Sequence, residues 1–202
     1  HYFLRKPGDS WKVIKEIFYD HFQKAEPNGA HYRLADWEKR GLVSSLITQN
    51  IDNLHYLAGS KNIIEYHGNS RLLICTGCGK KREASEEVFA EIPPHCPSCG
   101  SVYKPDFVFF GEGIPPRAAD AAEKEARKSD VMIVIGSTGE VYPAAFIPHQ
   151  ASQTGAKIIE INPEKSAFTD QITDLFIPLN AVEATELIDV PLNFFYLDHN
   201  DG

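Results

Sequence analysis

The chain contains four cysteines, Cys75, Cys78, Cys96 and Cys99, arranged as two C-x2-C pairs separated by 17 residues. Each pair sits in a turn-prone stretch, TGCGK and PSCGS. Paired knuckles at this spacing bring four thiolates to one point, which is what a tetrahedral zinc ion requires. Four thiolates leave no coordination position for water, so the expected zinc, one per chain, is structural and not catalytic. Two disulfides are the alternative use of the same residues. A chain of 202 residues with the composition of a large α/β protein has no need of such staples.

A second group of residues could do chemistry on a ligand. Residues 42–55 read LVSSLITQNIDNLH, an apolar run followed at once by Thr48, Gln49, Asn50, Asp52, Asn53 and His55. An Asx turn capping the next helix would explain Asn50 or Asp52, but not Gln49 as well. Downstream, His67 follows another apolar run and precedes Gly68. An imidazole there can accept a proton near neutral pH, unless it is simply a turn residue. His55 reads as structural or ligand-adjacent, and His95 as a solvated neighbour of the second knuckle.

Both groups need elements to position them. Asp9 or Ser10 can cap a helix on which Trp11, Ile14, Phe18 and Phe22 recur at helical spacing. A second helix is expected over 30–39, a short one ending at Gly59, and others over 118–129, from Pro143 toward Gly155, and over 181–188. Strands are expected at 42–47, 62–66, 106–110, 131–135, 157–161 and 175–179. Strands apolar throughout, alternating with helices, imply a parallel sheet covered on both faces. Ligands bind such sheets beyond the carboxyl ends of the strands. Five of those ends read TQNID, HG, GE, GST and NP. From about 71 to 103 the texture changes to knuckles and short β-prone pieces, which reads as an inserted zinc ribbon.

Composition narrows the partners. The formal charge of −8 argues against nucleic acid, which needs a clustered basic face, and is compatible with a basic peptide. No apolar run reaches the length of a membrane span and no signal-peptide pattern opens the chain, so a cytoplasmic protein is expected. The oligomeric state is left open.

Together, TQNIDNLHYLAGS, EYHG, the two cysteine pairs, KPDFVFFGE, GSTGEVYPAA and EIN resemble the sirtuins in order and spacing over residues 10–190. The resemblance implies an NAD-dependent protein lysine deacylase. Its expected fold class is α/β, a Rossmann-like parallel sheet with helices on both faces plus the inserted zinc ribbon. The domains would be 42–70 with 104–190 for NAD, 1–41 as the helical part of the small domain, 71–103 as the ribbon, and 191–202 as a tail.

The resemblance also assigns residues. His67 would be the catalytic base toward a hydroxyl of the nicotinamide ribose. Gln49, Asn50 and Asp52 would line the ribose and nicotinamide pocket, an amide holding the carboxamide and a carboxylate stabilising positive charge as the glycosidic bond breaks. Gly136, Ser137 and Thr138 would contact phosphate and adenine ribose, with Asn162 on the adenosine ribose and Asn180 and Ala181 near adenine. Val108, Phe109, Phe110 and Gly111 would form one wall of an acyl-lysine tunnel, and residues 139–142, including Val141 and Tyr142, the other. The implied reaction consumes NAD and an acetyl-lysine protein or peptide, and releases nicotinamide, lysine and O-acetyl-ADP-ribose. Mono-ADP-ribosyl transfer is an alternative with the same co-substrate, and a catalytically silent peptide-binding fragment is another.

Two departures stand out. The glycine-rich block that opens the sirtuin pattern is absent. With His1 first and Met132 the only methionine, the numbering is expected to start downstream of it. Gly139 replaces a larger apolar residue, which is expected to loosen its loop. Tyr19-Asp20-His21-Phe22 lacks the arginine that accompanies acidic acyl groups in the family, so a neutral acyl group, acetyl first, is expected.

Overall fold

The computed structural model describes residues 2–21 and 25–188. Its first half contains α1 (Tyr2–Arg5), α2 (Pro7–Ile14), a widened π-type turn (Lys15–His21), α3 (Gly29–Lys39), β1 (Leu46–Thr48), α4 (Leu54–Leu57), β2 (Ile63–Glu65) and β3 (Gly68–Cys75). Then come β4 (Lys81–Glu83), a short 3-10 turn (Val88–Ala90), β5 (Tyr103–Phe107), α5 (Pro116–Lys128) and β6 (Val131–Ile135). The last elements are α6 (Phe146–Gln153), β7 (Lys157–Ile161), β8 (Leu175–Ile177) and α7 (Ala181–Ile188). Two compact units result, one of His1–Pro27 with Val43–Ala122, the other of Asn28–Leu42 with Glu123–Gly202. No helix among the described residues is long and apolar enough to cross a membrane.

In the first unit β1 and β2 pair in parallel, Leu46 opposite Ile63 and Thr48 opposite Glu65. Both are shorter than their apolar runs; residues 42–45 lie outside the strand, and the Leu42 side chain is exposed. A separate antiparallel sheet has the order β4-β3-β5. Its third strand corrects an expectation. The stretch 106–110 was to be one strand of the parallel sheet, but β5 ends at Phe107 and runs antiparallel to β3. Lys104 Nζ donates to the Phe107 carbonyl (2.7 Å) and Glu112 Oε2 accepts from the Phe109 amide (2.9 Å), so a continuing strand loses those partners.

Gly68 explains why β5 can come so close. Its φ is +77°, and a Cβ there would sit 2.1 Å from the Asp106 carbonyl oxygen and 2.9 Å from Phe107 Cα. These obstacles are backbone and cannot swing aside. Gly68→Ala is therefore expected to destabilise the protein by about 3 kcal/mol or more, the range of severe core overpacking. A urea midpoint within error of the original would refute that close approach.

Helix α2 starts at Pro7, with Lys6 as its N-cap and no side-chain cap bond. The expected caps, Asp9 and Ser10, lie inside it, and Ser10 Oγ bonds back to the Lys6 carbonyl. Proline suits a first helical position, since the N–H it lacks would have had no partner there. The face carrying Trp11 and Ile14 is buried as expected, while Phe22 falls outside the described residues. Trp11 donates from Nε1 to the Tyr103 carbonyl at 2.7 Å, tying α2 to β5. Around it lie Phe3, Tyr19 and Phe89, and the same core includes Cys75 and Cys96.

In the second unit β6, β7 and β8 form a parallel sheet in that order. The strands expected at 131–135 and 157–161 are found at those residues, Val131 opposite Lys157 and Ile135 opposite Ile161. At the far end of β7, Lys157 Nζ (2.7 Å) and the Ile158 amide (2.9 Å) both donate to the Asp174 carboxylate. The lysine first, then the amide, hold that carboxyl below its ordinary range. The folded state thus favours the charged form, and the stability this confers is complete above the unfolded carboxylate pKa of about 3.9. It fades as pH falls through the lower folded value. The gap in urea midpoint between the parent and Asp174→Asn is expected to be constant near neutrality and to close on acidification below about pH 4.

Candidate active site

The four cysteine sulfurs lie within 4.8 Å of one another, and none is disulfide-bonded. Cys75 and Cys99 Sγ are 3.4 Å apart and Cys78 and Cys96 Sγ 3.8 Å. The edge of a tetrahedral zinc–thiolate centre with bonds of about 2.3 Å is about 3.8 Å. The two knuckles are built alike. Gly79 N donates to the Cys75 carbonyl and Gly100 N to the Cys96 carbonyl, while Cys75 N and Cys96 N bond to Lys80 O and Ser101 O. Gly77 N and Cys78 N both point at Cys75 Sγ (3.4 Å each). Burial opposes ionisation of Cys96, but hydrogen bonds from the Tyr103 side chain and the Ser98 and Cys99 amides outweigh it and bring the thiol down to about 6. The donor set fits zinc and leaves it no open face for chemistry. His95 stays outside the centre, exposed and 3.7 Å from Glu91.

At the carboxyl ends of β1 and β2 the structure gathers the first set of candidate residues. His67 Nδ1 lies 3.1 Å from the Gln49 carbonyl oxygen. A carbonyl can only accept, so Nδ1 carries a proton, and in the neutral ring the lone pair is on Nε2. The ring is half-buried, edge-on to Tyr66, and the His67 carbonyl accepts from Val108 N at 2.9 Å, which brings beside it the first of the residues expected to line a tunnel. Asn50 N donates to Thr48 Oγ1 (3.1 Å), and Asp52 Oδ1 accepts from Leu54 N (3.0 Å). The Asx turn weighed from the sequence therefore exists at Asp52. One of its oxygens is engaged in the turn, and the residue still lines a small cleft with Thr48, Asn50, His55 and Glu65.

In the second unit the loops after β6 and β7 meet. Asn162 Nδ2 donates to the Ser137 carbonyl (3.1 Å), and Gly136 N to the Ile161 carbonyl (2.9 Å). Ser137 Oγ accepts from Gly139 N, and Thr138 Oγ1 from Glu140 N. Asn180 is exposed and caps α7 through Glu183 N, with Ala181 the first residue of that helix. Gly139 is closely packed where a looser loop was expected. At φ +74°, its missing Cβ leaves the space occupied by Phe168, whose ring edge would be 3.0 Å from that atom. Phe168 is buried, and the neighbouring Ala167 N bonds the Thr138 carbonyl. Behind them Glu160, fully buried, takes the hydroxyls of Thr169 and Thr173. The loop thus packs against an aromatic ring, in a segment whose later residues, Thr169 and Thr173, are pinned to a buried carboxylate. Val141 and Tyr142 are exposed, Tyr142 against Phe146. Phe109 lies under the Lys104 ammonium; Phe110 is fully exposed beside Gly111, in the turn that closes on Glu112.

Comparison with known proteins decides the family. The sequence profile described as "Sir2 family" matches residues 1–143. An NAD-dependent protein deacylase of Pyrococcus abyssi is 43% identical over 180 residues, covering 87% of this chain and 71% of its own length. The chain belongs to the Sir2 family. An NAD-dependent protein deacetylase of Thermodesulfovibrio yellowstonii is 46% identical over 160 residues, 77% of this chain and 62% of that protein. Among solved structures, Sir2Tm bound to a propionylated peptide superposes with a TM-score of 0.85 at 37% identity, covering 93% of this chain and 79% of that one. A Sir2–p53 peptide–NAD+ complex gives the same TM-score and identity over 93% and 78%.

Thr48 and Asn53 of the polar cluster also line the cleft of this Sir2 site, but other residues around it were not singled out in the sequence: Tyr56 and Glu65 line it, and Asn69, Ser70 and Arg71 bond to its lining. Asn53 carried a signal, since asparagine tolerates the left-handed backbone region better than most residues. Arg71 carried none: a single arginine in a stretch read as the start of the zinc ribbon gives no sign that it folds back onto Glu65.

Proposed function

We propose that this chain is an NAD-dependent protein lysine deacetylase that transfers the acetyl group of an acetyl-lysine peptide to ADP-ribose and releases nicotinamide. The observation that carries this reading is the bond from His67 Nδ1 to the Gln49 carbonyl, which fixes a lone pair on Nε2 beside the strand ends bearing Asn50 and Asp52. Membership of the Sir2 family, and relatives named deacylases and deacetylases, support the same chemistry.

Gln49, Asn50 and Asp52 receive the nicotinamide riboside end, where the amides pair with the carboxamide and Asp52 offsets positive charge as the glycosidic bond breaks. The acetyl oxygen attacks the anomeric carbon and nicotinamide departs with the bonding electrons. His67 Nε2 then takes the proton of a ribose hydroxyl, whose oxygen attacks the former amide carbon, and water releases lysine and O-acetyl-ADP-ribose. Gly136, Ser137 and Thr138 hold phosphate and adenine ribose through amides and hydroxyls, with Asn162, Asn180 and Ala181 toward the adenosine. Val108, Phe109, Phe110, Gly111, Val141 and Tyr142 contact the acyl-lysine and its peptide, largely through main-chain bonds that tolerate varied sequence. The cysteines of the 71–103 ribbon hold zinc and take no part in the steps. We infer a cytoplasmic setting, supported by four unpaired thiols suited to a reducing compartment.

The test is to incubate the purified protein with labelled NAD and an acetyl-lysine peptide. Nicotinamide release that requires the peptide, with the acetyl group recovered on ADP-ribose, is expected. Adenine label fixed covalently on protein with the acetyl-lysine intact would replace deacetylation by ADP-ribosyl transfer, and no release at all would overturn both.

A further inference from the structure

Among the described residues Asn53 is the only non-glycine with a positive φ, +66°, and it is the residue that follows Asp52. A side chain in that region costs about 1 kcal/mol or more and persists only where its surroundings impose it. The surroundings here are specific. Asn53 Nδ2 donates to Ser70 Oγ at 2.8 Å, and Ser70 Oγ in turn donates to the Ile51 carbonyl at 2.7 Å. Ser70 N bonds that carbonyl as well, at 3.1 Å. Arg71 Nη1 donates to Asn53 Oδ1 at 3.3 Å. The guanidinium is itself fixed by a two-pronged pair with Glu65, whose second oxygen also accepts from Asn69 Nδ2 at 2.8 Å. Its flat face lies 4.8 Å from the centre of the Tyr56 ring.

Both polar ends of the Asn53 amide are therefore used, and both are anchored in β3. Glu65 and Tyr56 bound the same cleft as Asn50 and Asp52. A plain turn needs none of this, because glycine would reach the same φ unaided. What the side chain adds is a link between the 50–54 loop and a rigid strand.

We propose that Asn53, held by Ser70 and by the Arg71–Glu65 pair, is a positioning residue that sets Asn50 and Asp52 for binding and release of nicotinamide. The assignment of the ligand rests on the function proposed above; the mechanical link does not. These four residues touch no reacting atom in this scheme. They fix the height and tilt of the loop that does, as a supporting shell does for a catalytic constellation.

The test compares Arg71→Met, Arg71→Lys, Ser70→Ala and Asn53→Gly in the full chain by two readouts. Amide hydrogen exchange of the 50–56 segment is followed against that of β6 and β7. Steady-state kinetics then give KM for NAD, KM for the acetyl-lysine peptide, kcat and inhibition by nicotinamide. Loss of one hydrogen bond to a charged or buried partner is expected to raise KM for NAD and weaken nicotinamide inhibition by about tenfold, with peptide KM unchanged within about twofold. Exchange in 50–56 is expected to quicken by a similar factor while β6 and β7 stay protected. Arg71→Lys is expected to recover part of the effect, since lysine keeps the charge but not the fork. Asn53→Gly, which frees the backbone yet removes both bonds, should resemble Arg71→Met and not the parent. Unchanged exchange in 50–56 overturns the proposal, as does faster exchange that extends equally to the second unit. If the parent releases no nicotinamide, the functional reading fails and the exchange data alone still decide the clamp.

Discussion

His67→Ala is expected to form O-acetyl-ADP-ribose about a thousandfold more slowly than the parent, or about 4 kcal/mol in the barrier. The expectation follows from the tautomer. With the Gln49 carbonyl holding the Nδ1 proton at 3.1 Å, Nε2 is the only ring atom able to take another. Alanine removes the base and leaves Asn50 and Asp52 in place. The consequences therefore separate. Exchange of labelled nicotinamide into NAD, which needs glycosidic cleavage but no base, should survive far better than product formation. The ring is only half-buried, so thermal stability should change little and zinc content not at all. A variant that turns over at the parent's rate removes His67 from the mechanism.

Loss of the metal is the second large effect. Structural zinc bound by thiolates supplies about 10–16 kcal/mol in small zinc modules, as much as or more than the whole stability of an ordinary domain. Here two of the four ligands, Cys75 and Cys96, are buried within the core that also holds Trp11, Tyr19, Phe89 and Tyr103. Cys96→Ser, or prolonged chelation, is expected to take zinc from one per chain to nearly none and to open that core. Near-ultraviolet dichroism of the aromatic cluster should collapse in step with the metal content. Activity should fall as well, since β3 carries Gly68, Ser70 and Arg71 at one end and Cys75 at the other. A protein that keeps its aromatic signal with less than a tenth of its zinc would falsify a structural role for the metal.

Much of this site was readable from local pattern. The knuckles, each a C-x2-C followed by glycine, fold into the same short bonds at Cys75 and Cys96. The runs VMIVI and KIIEI become strands at the residues expected, because short stretches rich in β-branched residues between turn residues favour strands of a parallel sheet. The density of amides and carboxylates in TQNID exceeded what a turn requires, and the loop does line a cleft. Elsewhere local pattern misled. DFVFF reads as one buried strand, yet only its first two residues belong to a strand, and that strand is antiparallel to β3.

The sequence alone determined the chemistry on offer: four thiolates at metal spacing, an imidazole before a glycine, and amides and a carboxylate after an apolar run. Those signals lie within a few residues of each other, and short-range sterics and hydrogen bonding are enough to express them. Tertiary structure decided what no window of sequence contains. It chose the antiparallel partner of β5 through a backbone contact at Gly68. It turned Gly139 from a gap into the seat of Phe168. It also drew Arg71 onto Glu65 and Asn53, so that a left-handed residue beside Asp52 is held from a strand behind it. Each of these is a pairing between groups distant along the chain, selected by packing and by the cost of leaving buried polar atoms without partners.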